Sequence, residues 1–225
     1  MKIGILQTGH APDEVLETLG DYDGMFRHLL DGNGFEFESF DVVNMAFPTG
    51  PEDADGWLIT GSRHGAYEDL PFIAPLEELI RDIYAADRPL VGVCFGHQII
   101  ATAMGGKVKK FQGGWSVGHT EYTYKGRPTA LNAWHQDQVV SVPEGAEIIG
   151  SSEFCAAAAL VYGDRIWSIQ PHPEYGAQVI DALVTYRGPG VVPDHMLAEV
   201  RDTLGAPTNQ TDIAAAMAAF LKREA

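Results

Sequence analysis

Cys94 stands between two glycines in "GVCFGHQ", residues 92–98, where an apolar run gives way to a helical pattern. Small residues at Gly92 and Gly96 leave room for a strained strand-to-helix turn, the kind of corner on which hydrolases display a nucleophile. A thiol there meets the positive end of the helix dipole and its free N–H groups, which favour the thiolate. The Phe95 amide would point at any oxyanion formed beside it. Read alone, a single cysteine in an apolar strand is more often inert core.

A nucleophilic thiol requires a base, and the base requires an orienting group. Downstream, "QPHPEY" supplies His172 and Glu174, two positions apart. Pro173 disfavours helix at His172, and on extended backbone residues i and i+2 project to one side, so imidazole and carboxylate can meet. The preceding "RIWSIQ" reads as a core strand that would hold His172 at a strand end, where sites collect in α/β folds. Without that context the tripeptide is also an ordinary turn.

The elements that position these groups follow from periodicity. Short β-branched apolar runs, "KIGILQTG", "FEFESFDVV", "GWLIT" and "PLVGVCF", alternate with helical spacing in "PDEVLETLG" and "GMFRHLLDGNG" and with a helix starting near Pro75 and ending before Pro89. That rhythm predicts parallel strands. From about Lys107 aromatic and β-branched alternation predicts mainly strand, and helical patterning resumes at "GAQVIDALVTYR", "VPDHMLAEVRDTLG" and "TDIAAAMAAFLKREA". The stretch "RGPGVVP", Arg187 to Pro193, is the expected mobile loop. No repeat or linker interrupts the pattern, so residues 1–225 are expected to form a single α/β domain. Its sheet should be open and mostly parallel, with helices on both faces and a smaller antiparallel portion from the second half.

Composition narrows the function classes. With 15 basic against 31 acidic residues the formal net charge is -16, and no Lys/Arg cluster stands out, which argues against nucleic acid and anionic membrane partners. The apolar run in "MKIGILQTGH" is too short for a signal-peptide core, and no segment reaches the roughly 18–20 apolar residues of a membrane span. A cytoplasmic protein is expected. Cys94 and Cys155 lie 61 positions apart and neither sits in a C-x-x-C pair, so both are expected as thiols, Cys155 in the core. No metal spacing such as H-E-x-x-H and no Walker or dinucleotide glycine pattern occurs, so neither metal nor cofactor is expected.

Taken together, "GVCFGHQ" and an "HPE" 78 positions beyond the cysteine resemble the class I glutamine amidotransferase family of Cys-His-Glu type. The likeness is strongest to stand-alone members similar to the amidotransferase domain of GMP synthetase, and it runs from the first strand to about Tyr175. It implies that Cys94 attacks a γ-carboxamide carbonyl, that His172 moves the proton and that Glu174 orients the imidazole. A γ-glutamyl thioester would form, and water would release glutamate, with ammonia or an amine as the other product. It also implies an oxyanion hole from the backbone amides of Phe95 and of Gly61 in "LITGSRHG". Ser62 and Arg63 stand where many synthetase-linked members carry a second glycine and a proline.

The resemblance assigns Gln98 to the glutamine pocket. It likens "NAWHQDQVV" to the segment binding the substrate's α-amino and α-carboxylate groups, which brings in Gln136 and Asp137. From residue type alone Gln98 is equally a helix-surface residue, and His135 and Asp137 equally tie down a loop. Trp115, in "FQGGWSVGHTEY", is a pocket wall or a core residue. A chain of 225 residues leaves no room for an ATP-dependent synthetase domain. The protein is therefore expected either to feed ammonia to a separate synthetase subunit or to act alone on a γ-glutamyl compound, as γ-glutamyl peptidases do. A binding protein that keeps the fold without the reaction would lack a member of the triad, and none is missing here.

Overall fold

In the computed structural model, which describes residues 1–224, side-chain alternation along each central strand feeds two apolar layers. Trp57 and Ile59 enter one layer, while Leu58 between them enters the other. A strand buried on both faces needs apolar residues at successive positions, which is why these segments read as continuous runs.

The strands are β1 (Lys2–Leu6), β2 (Glu36–Phe40), β3 (Gly56–Ile59), β4 (Leu90–Val93), β5 (Lys107–Lys110), β6 (Ser116–Tyr124), β7 (Arg127–His135), β8 (Asp137–Ser141), β9 (Glu147–Ser151), β10 (Ala159–Tyr162) and β11 (Ile166–Ile169). Nine of them form one sheet in the order β2-β1-β3-β4-β11-β10-β9-β6-β7. The pairings from β2 to β11 are parallel, with Ile59 opposite Gly92 and Val93 opposite Ile169. Beyond β11 the pairings are antiparallel, as expected for the second half. β5 and β8 form a separate antiparallel ribbon.

The helices are α1 (Asp13–Leu19), α2 (Tyr22–Leu29), α3 (Ile73–Ala85), α4 (Phe95–Ala103), α5 (Ala177–Ala182), α6 (Asp194–Asp202) and α7 (Gln210–Lys222). Phe26 of α2 and Ile213 and Met217 of α7 cover one face of the sheet with Ile3, Ile5, Val91 and Val93. α3 and α4 cover the other face. In α3 the residues Ile73, Leu76, Ile80 and Ile83 recur at helix spacing and are buried. This helix begins two residues before Pro75, which therefore occupies the first turn, where its missing N–H breaks no bond.

α4 is apolar nearly all round and almost wholly buried, as a helix in the centre of a layer must be. It approaches the sheet at glycine distance. A Cβ on Gly96 would lie 2.4 Å from the Ile59 carbonyl oxygen, and one on Gly92 would lie 2.5 Å from Ile100 Cδ1 and 2.7 Å from the Gly96 carbonyl carbon.

The pattern "GAQVIDALVTYR" reads as one regular helix, but the chain widens into a π turn over Leu183–Arg187, closed by the Gly188 N–H donating to Leu183 O at 2.8 Å. One extra residue per turn shifts the later side chains around the helix, and a periodicity of apolar residues does not register so local an insertion. Residues 187–193 continue from this turn, and Arg187 and Val191 both face the cavity described below.

The same substitution at two glycines should have opposite signs. Gly96→Ala should destabilise the fold by about 2–3 kcal/mol, because the methyl group meets backbone that cannot move aside. Gly24→Ala, in α2 with open space around it, should stabilise by about 0.5–1 kcal/mol. Urea unfolding of both variants is the check, and a neutral Gly96→Ala would contradict the close approach.

Candidate active site

Cys94 links β4 to α4 with φ 52° and ψ -103°. This is backbone that an L-residue adopts only at a cost of about 1–3 kcal/mol and only where its surroundings enforce it. The ends of β11 and β3 and the first turn of α4 do so. Its N–H donates to Ile169 O at 2.9 Å, its carbonyl accepts from Gln98 N at 3.1 Å, and the Gly96 N–H donates to Thr60 O at 3.2 Å. The Phe95 amide is the first of α4 and has no acceptor within the helix.

His172 follows β11 and forms an isolated bridge to β7, its N–H donating to Asn132 O at 2.8 Å. The Asn132 side chain returns a bond to Tyr175 O at 2.8 Å. Pro173 and Glu174 lie in a turn, and within it His172 Nδ1 and Glu174 Oε1 are 2.7 Å apart, both side chains buried. The imidazole lies flat on the Tyr175 ring, with centroids 3.9 Å apart and planes within 3°. Burial by itself would push the His172 pKa down, but the charges of Glu174 and Cys94 outweigh it and raise it to about 10. His172 therefore keeps its proton at neutral pH.

Gly61 passes over Cys94 and His172. A Cβ there would come 3.0 Å from His172 Cε1 and 3.7 Å from Cys94 Cβ, so only a glycine leaves the sulfur and ring accessible to each other and to a ligand. The loop is held by Ser62, whose hydroxyl donates to Thr8 O at 2.7 Å and accepts from the His64 N–H at 3.2 Å. Phe95 and Gly61, the two expected oxyanion donors, thus both adjoin Cys94.

Cys94 and His172 open into a cavity of about 290 Å³ that Gln98, Trp115, Gln136 and Asp137 also line. Gln98 spends both amide hydrogens inside the protein, on Asp137 O at 2.9 Å and Gln170 Oε1 at 3.0 Å, which leaves its carbonyl oxygen for a ligand N–H. Gln136 donates to Phe111 O at 3.1 Å and so also ties down the loop after β5. Burial raises the Asp137 carboxyl above the usual carboxylate range, with Tyr67 and Lys110 acting against it. Tyr67 itself is pushed up to about 12 by burial and by Asp137. Trp115 lines the cavity and also packs on the apolar cluster around Tyr175 and Leu183.

Two further histidines support the floor. His135 Nδ1 lies 3.2 Å from Asp137 O and His97 Nδ1 lies 2.8 Å from Ser168 Oγ, and burial lowers their pKa values to about 3 and about 4. Both stay neutral beside the charged pair. Cys155 is fully buried, and burial raises its thiol to about 12. Sequence reasoning overlooked Tyr22, Tyr67, Tyr175 and Arg187 as cavity residues. Tyr175 had a signal, since it directly follows the "HPE" turn, whereas Tyr22 and Arg187 reach the site only through tertiary packing. Among the described residues no group of three or more His, Cys, Asp or Glu side chains is placed to hold a metal ion, and no helix is long and apolar enough to cross a membrane.

Comparison with known proteins gives a family match, "Glutamine amidotransferase class-I", over residues 28–187. The chain is 30% identical over 187 residues to gamma-glutamyl peptidase 3 of Arabidopsis thaliana, covering 76% of this chain and 75% of that protein. It is 33% identical over 139 residues to the glutamine-hydrolyzing GMP synthase of Bacteroides fragilis, covering 57% of this chain and 26% of the synthase. The crystal structure of a glutamine amido transferase from Methylobacillus flagellatus shares the fold, with TM-score 0.75 at 24% identity over 99% of this chain and 92% of that one.

The charged pair has a pH signature. Because the folded His172 pKa lies above its ordinary value of 6.5, the stability it contributes is complete below about pH 6.5 and is lost as pH rises towards 10. His97 and His135 act in the opposite sense: their lowered values make stability fall as pH drops below 6.5. In an NMR titration His172 should stay protonated well above pH 6.5, and Cys94→Ala should lower its midpoint. A midpoint near 6.5 in the unmodified protein would contradict the pair.

Proposed function

The chain belongs to the glutamine amidotransferase class-I family, and we propose that it hydrolyses a γ-glutamyl amide bond through a cysteinyl thioester, with Cys94 as nucleophile, His172 as acid and base, and Glu174 as orienting group. The observation that carries this reading is the strained corner at Cys94 facing the buried His172–Glu174 pair across one cavity.

The chemistry proceeds from that geometry. The Cys94 thiolate attacks the γ-carbonyl carbon, and the backbone N–H groups of Phe95 and Gly61 donate hydrogen bonds to the tetrahedral oxyanion. The C–N bond then breaks as His172, already an imidazolium, gives its proton to the leaving nitrogen. Ammonia or an amine departs, and the γ-glutamyl group remains as a thioester on Cys94. His172, now neutral, takes a proton from water as it attacks the thioester carbonyl, the C–S bond breaks, and glutamate leaves with the thiolate regenerated. Glu174 keeps Nδ1 occupied throughout, so only Nε2 exchanges protons. The Gln98 carbonyl oxygen and the Asp137 carboxylate suit the substrate's α-ammonium group, whose charge would return Asp137 to the ordinary carboxylate range.

A second reading, a glutaminase subunit that feeds ammonia to a separate synthetase, draws on the similarity to part of a GMP synthase. Purified protein assayed without partners separates the two. Strong turnover of γ-glutamyl peptides by the protein alone favours the stand-alone hydrolase, and turnover of glutamine that appears only with lysate favours the subunit. In either case Cys94→Ala should abolish turnover and leave the fold intact, and Cys94→Ser should be nearly as inactive. Glu174→Gln should slow turnover by about 10³–10⁴-fold, by analogy with loss of the orienting carboxylate in other triads. An electrophilic glutamine analogue should modify Cys94 alone, as read by mass spectrometry. An unmodified Cys94, or a wild-type rate in Cys94→Ser, would overturn the assignment.

A further inference from the structure

The cavity over Cys94 does not end at the nucleophile. Arg63, His64 and Arg187 line it and also line a second, larger cavity of about 720 Å³, whose other walls include Gly9, His10 and Asn44. A glutaminase discharges ammonia, a group of about the size of water, roughly 30 Å³, and needs no such chamber. A γ-glutamyl peptide discharges a whole amino acid or more. We infer that Arg63 and Arg187 form a subsite for the carboxylate of the leaving half, so that the preferred substrates are γ-glutamyl compounds whose amine portion is itself an acid. This inference rests on the γ-glutamyl hydrolase reading given above.

Three observations carry it. The first is pairing. In a chain with 31 acidic residues, Arg27, Arg81, Arg88, Arg165 and Arg223 each hold a carboxylate. Arg63 and Arg187 hold neither a carboxylate nor a carbonyl among the described residues, and Arg127 and Arg201, the remaining two without a carboxylate, line neither cavity. Two guanidinium groups kept free at one junction are available to an anion.

The second is placement relative to the reacting atoms. Arg63 lies two residues beyond Gly61, which touches His172, and its loop is fixed by the Ser62 bonds to Thr8 and His64. Gly9 packs against the same Ser62, where a Cβ would lie 3.0 Å from the hydroxyl, so the boundary between the chambers is closely packed. On the opposite wall the positive charge of Arg187 acts on the Tyr22 hydroxyl. The Tyr22 ring lies 6.2 Å from that of Tyr175, which stacks on His172. The arginines therefore stand near the imidazole that delivers a proton to the leaving nitrogen.

The third is the π turn that carries Arg187. Such turns recur at functional sites because they aim a side chain away from the regular helical position. Here the turn is backed by Gly188, where a Cβ would meet Leu197 Cδ2 at 2.5 Å, so the direction of the segment is held by packing. The remaining charges of the second chamber are committed or opposed. His10 sits 2.6 Å from Asp21 and 3.3 Å from Asp41, and Asp13 adds a negative charge to the wall, which leaves the arginine end as the place for a carboxylate.

The test compares γ-L-glutamylglycine with γ-L-glutamylglycinamide, which differ only in the charge of the leaving half. For the unmodified enzyme kcat/KM should favour the acid by about 10- to 100-fold, the worth of a charge-assisted contact. Arg63→Gln and Arg187→Gln should each reduce that preference, the double variant should bring it close to unity, and Arg187→Lys should restore part of it. Calorimetry with Cys94→Ala protein, which holds substrate without cleaving it, reads the subsite independently of catalysis. Equal rates for acid and amide in an active enzyme overturn the subsite and leave the hydrolase reading standing. Absence of all turnover, with the acid still bound better than the amide and that preference lost in the arginine variants, overturns the hydrolase reading and keeps the subsite. Equal binding of the two compounds by Cys94→Ala overturns the subsite whatever the activity.

Discussion

The close contact of α4 with the ends of β3 and β4 is the constraint from which the rest of the site follows. Glycines at 92 and 96 let the helix settle against Ile59 of β3 and against the backbone of β4, and that closeness forces the single residue between strand and helix into the positive-φ region. The cost, about 1–3 kcal/mol, is comparable to the net worth of the backbone hydrogen bonds that clamp the corner, each about 1 kcal/mol. A fully buried helix and the ends of β3 and β11 together over-determine the geometry, so the strain is sustained without a single dedicated interaction. The consequence is a sulfur pushed out of the sheet and a free amide beside it.

Electrostatics then completes what the backbone begins. A buried imidazolium is unstable alone, since desolvation favours the neutral ring. It persists here because Glu174 bonds to one side and the charge of Cys94 adds to it. The dependence is mutual, for Glu174 Oε2 has no partner among the described residues and its only bond is to the ring. In the proposed reaction this has a kinetic meaning. When the thiolate forms a C–S bond its charge disappears, one of the two groups holding the proton on His172 is removed, and the imidazolium becomes a stronger acid as the leaving nitrogen needs a proton. Tyr175 holds the ring in plane through the cycle, and the neutral His97 and His135 add no competing charge.

Much of this was legible before any coordinates. Parallel strands announced themselves because burial on both faces demands consecutive apolar residues, and the corner at Cys94 because only glycines fit around it. The pairing of His172 with Glu174 was local, so two positions of sequence sufficed, although a turn at Pro173 rather than a simple extended strand brings them together. What escaped was non-local. The periodicity of Lys107–Ser141 is that of strands, but nothing in it tells β5 and β8 to leave the main sheet while β6 and β7 extend its edge. Tyr22 and Arg187 enter the cavity from helices far apart in the chain, and the π turn that aims Arg187 leaves no trace in an apolar period. Gln98 and Gln136 were legible as cavity residues, but not that their amide groups are largely committed to holding the loops around it.

Strand order also explains why the two cavities adjoin in the way they do. In an open parallel sheet, binding crevices form outside the carboxyl ends of the strands. The acyl site draws on the loops after β3, β4 and β11, which are neighbours in the sheet, and on the β7–β8 connection that bridges them. The second chamber draws on the loops after β1, β2 and β3. β3 is common to both, and its loop carries Gly61 over the sulfur and Arg63 into the junction two residues later. A substrate seated with its γ-carbonyl under Gly61 and its α-ammonium group towards Asp137 must therefore direct its leaving nitrogen back across the β3 loop, towards the β1 side of the sheet. On the proposed assignment, one short loop both polarises the bond to be broken and senses the charge of the group that departs, so the length of the connection between Gly61 and Arg63 sets the distance at which a leaving-group carboxylate is recognised.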